Sequence, residues 1–422
     1  MPIVSRTLLS FAALCCMAAA IADADQWPRF RGEQGAGTSE TTGLPVTWSE
    51  SENMVWKKEM PGYGASSPIV WGDRLFITCY SGYGQGGEDG SQSDLRGRTL
   101  CIDRNTGETI WDKSIPTFDG ERQYQGFIRE HGYSSATPAT DGTHLVSFFG
   151  ASGVVTYDLD GNELWRASVG TETHNFGSGT SPVIFDSLVI INASVESDAL
   201  VALKLTDGSE VWRTEDIPRS WNTPIIVQPP GGGVPELVVN MRGQLKGFNP
   251  RTGEELWRCE AIPDYICPSV VTHDGIAYAI GGRRSQCLAV RTGGRGDVTE
   301  SHKLWQIDVG SNVPSPVYHD GHLYWMNHRG LVYCVDAESG EIVTERRSSA
   351  GKTYASMTYA DGRLYAVSRD KGAFVFEATP EMPELAHNTI ADDDTIFNGS
   401  PTAVDGRLYL RSDAALYCIA KQ

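Results

Sequence analysis

The sequence predicts an all-β chain, an eight-bladed β-propeller of four-stranded antiparallel blades whose ring is closed by pairing an N-terminal strand with the last blade. Three observations predict it. One line of text recurs eight times, with an average period of about 47 residues over positions 47–422. Each copy carries four short alternating segments bounded by turn residues, which is the pattern of a propeller blade. The chain also begins on one orphan strand and ends on three, as a ring does when its last sheet is completed by its first strand.

Each copy opens on Ser or Thr, followed by Pro in six cases: Ser67-Pro68, Thr137-Pro138, Ser181-Pro182, Thr223-Pro224, Ser315-Pro316 and Ser400-Pro401. Ser269-Val270 and Ser356-Met357 start the other two. Asp-Gly pairs then join two apolar strands at Asp141-Gly142, Asp274-Gly275, Asp320-Gly321, Asp361-Gly362 and Asp405-Gly406, the strongest short hairpin signal. A Thr/Asp-Gly turn follows later in the copy, and the outer strand closes on Trp56, Trp111, Trp165, Trp212, Trp257 or Trp305. Val343 takes that place in the sixth copy, and the seventh lacks it. The orphan strand is Asn53–Lys58, and the terminal three are SPTAVDG, RLYLRS and ALYCIA.

Composition fits this reading. The 422 residues include 46 Gly and 21 Pro, too many for a long helical bundle, while 40% hydrophobic content supplies a core and argues against disorder. The net charge of −18 excludes a general nucleic-acid binder, which needs a basic surface. Arg6 precedes an apolar run, Leu8 to Ala22, with small-x-small sites at Ala20-Ile-Ala22 and Ala22-Asp-Ala24. Residues 1–24 therefore read as a secretory signal peptide, residues 25–46 as an extension and 47–422 as the propeller. The expected location is periplasmic or secreted, with no transmembrane segment and a monomeric chain. Lipoprotein processing needs a small residue before the modified Cys, and Cys15 follows Leu14.

Removing the leader leaves seven cysteines. Cys101, Cys287, Cys334 and Cys418 sit at one repeat position in mid-strand and read as small apolar residues. Cys79 and Cys101 flank one hairpin and could pair. There is no C-x-x-C, Gly-x-Ser-x-Gly, phosphate loop or dinucleotide fingerprint. His319 and His322 read as solvated turn residues, and the acidic stretches 87–94 and 392–394 lack the spacing of a calcium loop.

The segments Cys101-Ile-Asp-Arg-Asn-Thr-Gly-Glu-Thr-Ile-Trp111, Leu203–Trp212 and Phe248–Trp257 resemble the repeat of quinoprotein-type propellers. The resemblance covers 47–422, and Trp27-Pro-Arg-Phe-Arg-Gly32 resembles the lead-in of exported propellers of that type. It implies the eight-bladed fold, shared by dehydrogenases and by barrel-assembly scaffold lipoproteins. For a dehydrogenase it would further imply pyrroloquinoline quinone over the axis, a calcium ion, an Asp base and a pair of adjacent cysteines. The only adjacent pair is Cys15-Cys16, inside the leader, and no long inter-blade insertions are present. The expected function is thus a non-catalytic binding or scaffold module with no cofactor. A quinone- and calcium-dependent dehydrogenase is the alternative.

Propeller topology puts the loop entering each inner strand and the hairpin between the middle strands on one face. The entry loops supply Tyr63, His131, Tyr133, His174, Asn175, Trp221, Asn222, Tyr265, Asn312, Tyr354 and Asn398. The middle hairpins supply Arg242, Arg283, Arg284, His328, Arg329, Arg369, Lys371 and Arg411. Five consecutive blades thereby place a cation on one face of an acidic protein. Aromatic, amide and Arg residues together suit a protein partner or an anionic small ligand. Residues 80–99, rich in Gly and Ser, form an insertion on the same face, either a flap over a ligand or surface decoration.

Overall fold

The computed structural model describes residues 26–85 and 90–422; the expected leader and positions 86–89 lie outside the described residues. Eight antiparallel sheets follow one another along the chain. The first blade comprises Ile69–Trp71, Arg74–Ser81, Arg96–Asp103 and Thr109–Pro116. Each later blade repeats that inner-to-outer order, and the eighth is completed by the N-terminal strand. That strand, Met54–Glu59, pairs antiparallel with Ala415–Ala420, so first and last chain segments share one sheet.

The Asp-Gly turns work as expected at four of five hairpins. Asp274, Asp320, Asp361 and Asp405 have φ between 45° and 53°, and the following Gly are also positive, as a two-residue turn between twisted strands requires. At Asp141 only the Gly has positive φ. There the Asp carboxylate instead accepts the N–H groups of Thr143 and His144.

The core lies between neighbouring blades. Trp56, Tyr409 and Cys418 of the eighth sheet pack with Ile69, Phe76 and Cys101 of the first, all within one buried cluster. Each closing Trp donates its indole N–H to a backbone carbonyl of the next blade: Trp56 to Arg104, Trp111 to Leu159, Trp165 to Leu205, Trp212 to Pro250 and Trp305 to Ala337, at 2.8–3.1 Å. Trp257 differs. The fifth blade joins its third and fourth strands through a longer connection, which adds Gly296–Asp297 as a parallel strand on the fourth blade. No tight turn is presented there, and Trp257 donates instead to the buried carboxylate of Glu236 at 2.7 Å.

Register refines three expectations. A β-bulge precedes the Trp position in the outer strand of every blade. In the sixth blade the residue facing Cys334 is Thr344, so Thr344, not Val343, stands where Trp stands elsewhere. Val343 is the bulge residue and is exposed, like Val55, Ile110, Leu164 and Val211. Cys287 lies two residues from the shared cysteine position, because Ala289 is what faces Trp305. Cys79 and Cys101 are both free and buried; Cys79 faces Arg98 and Cys101 faces Phe76, which keeps the two thiols apart.

The extension crosses the axis. Trp27 exchanges two backbone bonds with Val70 of the first blade, and Pro28 accepts from Thr140 of the second. Arg31, 2% exposed, donates to Pro316 of the sixth, Gly37 and Ser39 pair with Tyr359 of the seventh, and Thr41 accepts from Gly406 of the eighth. Apart from Arg31, whose partner Pro316 immediately precedes its strand, these contacts fall within or after the inner strands, so the segment plugs the tunnel at the end opposite the entry loops. No helix among the described residues is long and apolar enough to cross a membrane.

Candidate functional site

The Ser or Thr that opens each blade has a physical role. Ser67 N–H donates to Thr137 Oγ1, Thr137 to Ser181, Ser181 to Thr223, Thr223 to Ser269, Ser269 to Ser315, Ser315 to Ser356, Ser356 to Ser400 and Ser400 back to Ser67, all at 2.9–3.0 Å. This closed circle of eight bonds surrounds the axis. Above it opens a cavity of about 570 Å³ lined by all eight blades, with Phe30 of the extension at its base.

Nine of the nineteen residues supplied by the entry loops and middle hairpins line this cavity: His131, Trp221, Tyr265, Arg283, Asn312, His328, Arg329, Tyr354 and Asn398. Both entry loops and middle hairpins contribute, as the face assignment required. Phe127, Glu130, Ser135 and Phe176 also line it, along with six hydroxyls of the circle. No motif marks these in the sequence: Phe176 directly follows His174-Asn175 with no signal of its own, and the hydroxyls recur as blade markers.

The other ten lie elsewhere, among them Lys371, which donates to the Ser349 carbonyl at 3.0 Å. Arg411 is 1% exposed and donates to the carbonyls of Ser66 and Thr78, so it braces the junction of blades eight and one. Arg369 is 5% exposed; its guanidinium lies 4.3 Å from the Tyr354 ring and is ion-paired with Glu130 at 2.7 Å. Asn222 is buried, donating to Asn240 and accepting through its carbonyl from Asn192. Tyr63 pairs through its backbone with Tyr80. Tyr133 packs against Tyr80, Tyr83 and Tyr124 and donates its hydroxyl to Arg122 at 2.7 Å. His174 buttresses the cavity wall, 5.0 Å from Trp221, while Asn175, Arg242 and Arg284 are exposed outside the cavity. The expected cationic ring is therefore reduced to Arg283 and Arg329 at the cavity itself. Burial and backbone carbonyls consume Arg369 and Arg411.

The connection between blades one and two carries the short helix Ile128–His131, whose Glu130 carbonyl accepts from Arg369 of the seventh blade at 2.9 Å and from Asn398, at the entry to the eighth, at 2.8 Å. The 80–99 region differs from the expected insertion at its ends, because Tyr80 and Ser81 pair as strand residues with Gly97 and Arg96, and Arg98 and Thr99 with Cys79 and Thr78. In the wall itself, His131 bridges Ser135 and the Phe176 carbonyl at 2.6 Å each, and burial lowers its pKa, favouring the neutral ring. Glu196 is 1% exposed and accepts from Ser178; burial pushes its carboxyl up to about 7.

A calcium-held quinone does not fit this donor set. Among the described residues Glu130 is the only carboxylate lining the cavity, and it is committed to Arg369. Among the described residues no group of three or more His, Cys, Asp or Glu could hold a metal. No chemical step is therefore assigned through that cofactor.

Fold and repeat define the class: an eight-bladed propeller of the pyrroloquinoline quinone-like type. The chain belongs to the family described as outer membrane protein assembly factor BamB, whose model matches residues 95–264 and 241–380. An outer membrane protein assembly factor BamB from Yersinia pestis is 22% identical over 305 residues, 66% of this chain and 73% of its own. BamB from Moraxella catarrhalis superposes with a TM-score of 0.60 at 12% identity, covering 87% of this chain and 99% of that one. A quinohemoprotein alcohol dehydrogenase from Comamonas testosteroni reaches 0.65 at 10% identity, covering 96% and 82%. The computationally designed Ika8 protein reaches 0.63 at 12%, covering 88% and 100%. At such identities the structural likeness is one of fold alone.

Proposed function

We propose that this protein is an exported, non-catalytic propeller that acts as a protein-binding scaffold in outer membrane protein assembly, with its axial face as the docking surface. Membership of the BamB family carries the scaffold reading, and the cavity mouth carries the choice of face. Phe127 is 53% exposed there, an apolar side chain at the rim of a polar ring, as partner-binding surfaces present. Under this reading residues 1–24 are removed on export, the mature chain is a periplasmic monomer, and an anionic group on the partner or a small ligand meets Arg283 and Arg329.

Photo-crosslinking tests it. A crosslinking residue is placed at Phe127, at Arg284 on a nearby exposed hairpin, or at Asp320 on the opposite face. Envelope proteins are expected to be captured from the first two positions and not from Asp320. Capture from Asp320 alone, or from none of the three, would sink the reading.

A further inference from the structure

We propose that the axial cavity binds a small apolar carboxylate, its apolar body against the aromatic wall of blades two to five and its carboxylate toward Arg283 and Arg329. The proposal deepens the axial-face reading, on which it rests, by placing a small-molecule site beneath the partner surface.

The wall is built of packed rings. Phe176 lies 4.7 Å from Phe127, 5.3 Å from Trp221 and 5.5 Å from Tyr265, centroid to centroid. Their faces and edges leave one continuous apolar surface on one side of a cavity of small-molecule size. Next to Tyr265 the lining turns polar, and apart from the unpartnered Asn398 Oδ1 its unspent groups are mostly donors. Arg283, held 5.1 Å from the Tyr265 ring, and Arg329 form no ion pair among the described residues.

The floor adds to the same imbalance. Each hydroxyl of the circle already accepts a backbone N–H, and no acceptor for its own proton is found among the described residues. Six of these hydroxyls line the cavity. The one carboxylate among the described lining residues is consumed by Arg369, which leaves an ammonium group the neutral Asn398 Oδ1 as its unspent side-chain acceptor and no free charge of opposite sign. A neutral apolar ligand would leave guanidinium and hydroxyl donors without partners, which costs free energy once water is displaced. A carboxylate supplies acceptor capacity and the missing charge together, and its apolar body suits the wall.

Calorimetric titration of the full mature chain with 3-phenylpropionate, 3-phenylpropionamide and 3-phenylpropylamine tests this. The acid is expected to bind at least about tenfold more tightly than amide or amine, the scale of one charge-assisted hydrogen bond. Replacing Arg283 and Arg329 together by Ala is expected to bring the acid to the level of the amide. Equal binding of acid and amide, stronger binding of the amine, or no binding of the three by the unaltered protein would overturn the proposal. So would unchanged acid affinity in the double variant. Failure of acid binding with partner capture retained from position 284 would overturn this proposal and leave the scaffold reading standing.

Discussion

Ser400 donates its backbone N–H to Ser67 Oγ at 2.9 Å, and this single bond between the last blade and the first completes the circle of eight. The bond explains why Ser or Thr opens all eight blades while Pro follows in only six: the hydroxyl is the acceptor for a buried N–H that the strand cannot satisfy. Ser67→Ala removes that acceptor and leaves Ser400 N–H unpaired. The expected loss is about 1–3 kcal/mol, the usual cost of a stranded buried donor. Thr137→Ser keeps the hydroxyl and is expected to cost less than about 1 kcal/mol. Urea denaturation of both variants decides it, and equal losses would mean that the circle contributes nothing of its own.

A second relationship joins neighbouring blades at their outer rim. Gly107 has φ +76°, and a Cβ there would come within 2.8 Å of the Trp56 ring. Gly43 has φ +78° with open space around it. Alanine at either site carries the left-handed backbone cost of about 1–2 kcal/mol, while only Gly107→Ala also pushes Trp56 off its seat. Gly107→Ala is therefore expected to destabilise the fold more than Gly43→Ala by about 1–3 kcal/mol, the usual overpacking cost. Matching melting temperatures for the two variants would refute the idea that glycine in this turn serves the tryptophan.

The blades were legible because their markers answer to local needs: an Asp-Gly turn, a Ser/Thr acceptor and a closing Trp recur at fixed offsets. The two positions misplaced, Val343 and Cys287, sit where a bulge or a lengthened connection shifts the register, which spacing alone does not reveal. Face assignment was legible for the same reason, since topology alone sends entry loops and middle hairpins to one end. Burial was not. Arg369 and Arg411 look identical to Arg283 and Arg329 as hairpin cations, and only the tertiary course of the 117–134 connection and of residues 64–66 shows that carbonyls and Glu130 consume them. The plug has no pattern of its own in the sequence, because its contacts all use backbone groups of the blades, bound by the extension's backbone in the first, second and seventh and by the Arg31 and Thr41 side chains in the sixth and eighth.

Glu196 makes stability depend on pH. Burial raises its folded pKa to about 7, above the ordinary carboxyl value of 4.5. The folded state therefore holds a proton that the unfolded chain releases, and stability contributed by this group falls as pH rises from about 4.5 to about 7. The full penalty, on the order of 3 kcal/mol, is present above that window. Glu196→Gln removes the titration while keeping an acceptor for Ser178. It is expected to stabilise the protein at pH 8 by at least about 1 kcal/mol relative to its effect at pH 5, measured by urea midpoints. The same effect at both values would show that Glu196 is not protonated near neutrality.

The connection between blades one and two is held by Arg369 of the seventh blade, which pairs with the Glu130 carboxylate at 2.7 Å and also donates to the Glu130 carbonyl at 2.9 Å. Arg369→Ala removes both and leaves Asn398 as the remaining tie to that carbonyl. Local opening of 117–134 then becomes easier while the blades stay folded, because the segment contributes only a short helix and no strand. Trypsin should cut after the exposed Arg129 roughly tenfold faster, as follows from losing about 1.4 kcal/mol of local closing free energy. Glu130→Gln keeps the carbonyl bond and loses only the charge pair, so its cleavage rate is expected to fall between the two. If both variants are cut no faster than the unaltered protein, the strap is held by the rest of its packing, and Arg369 is not its latch.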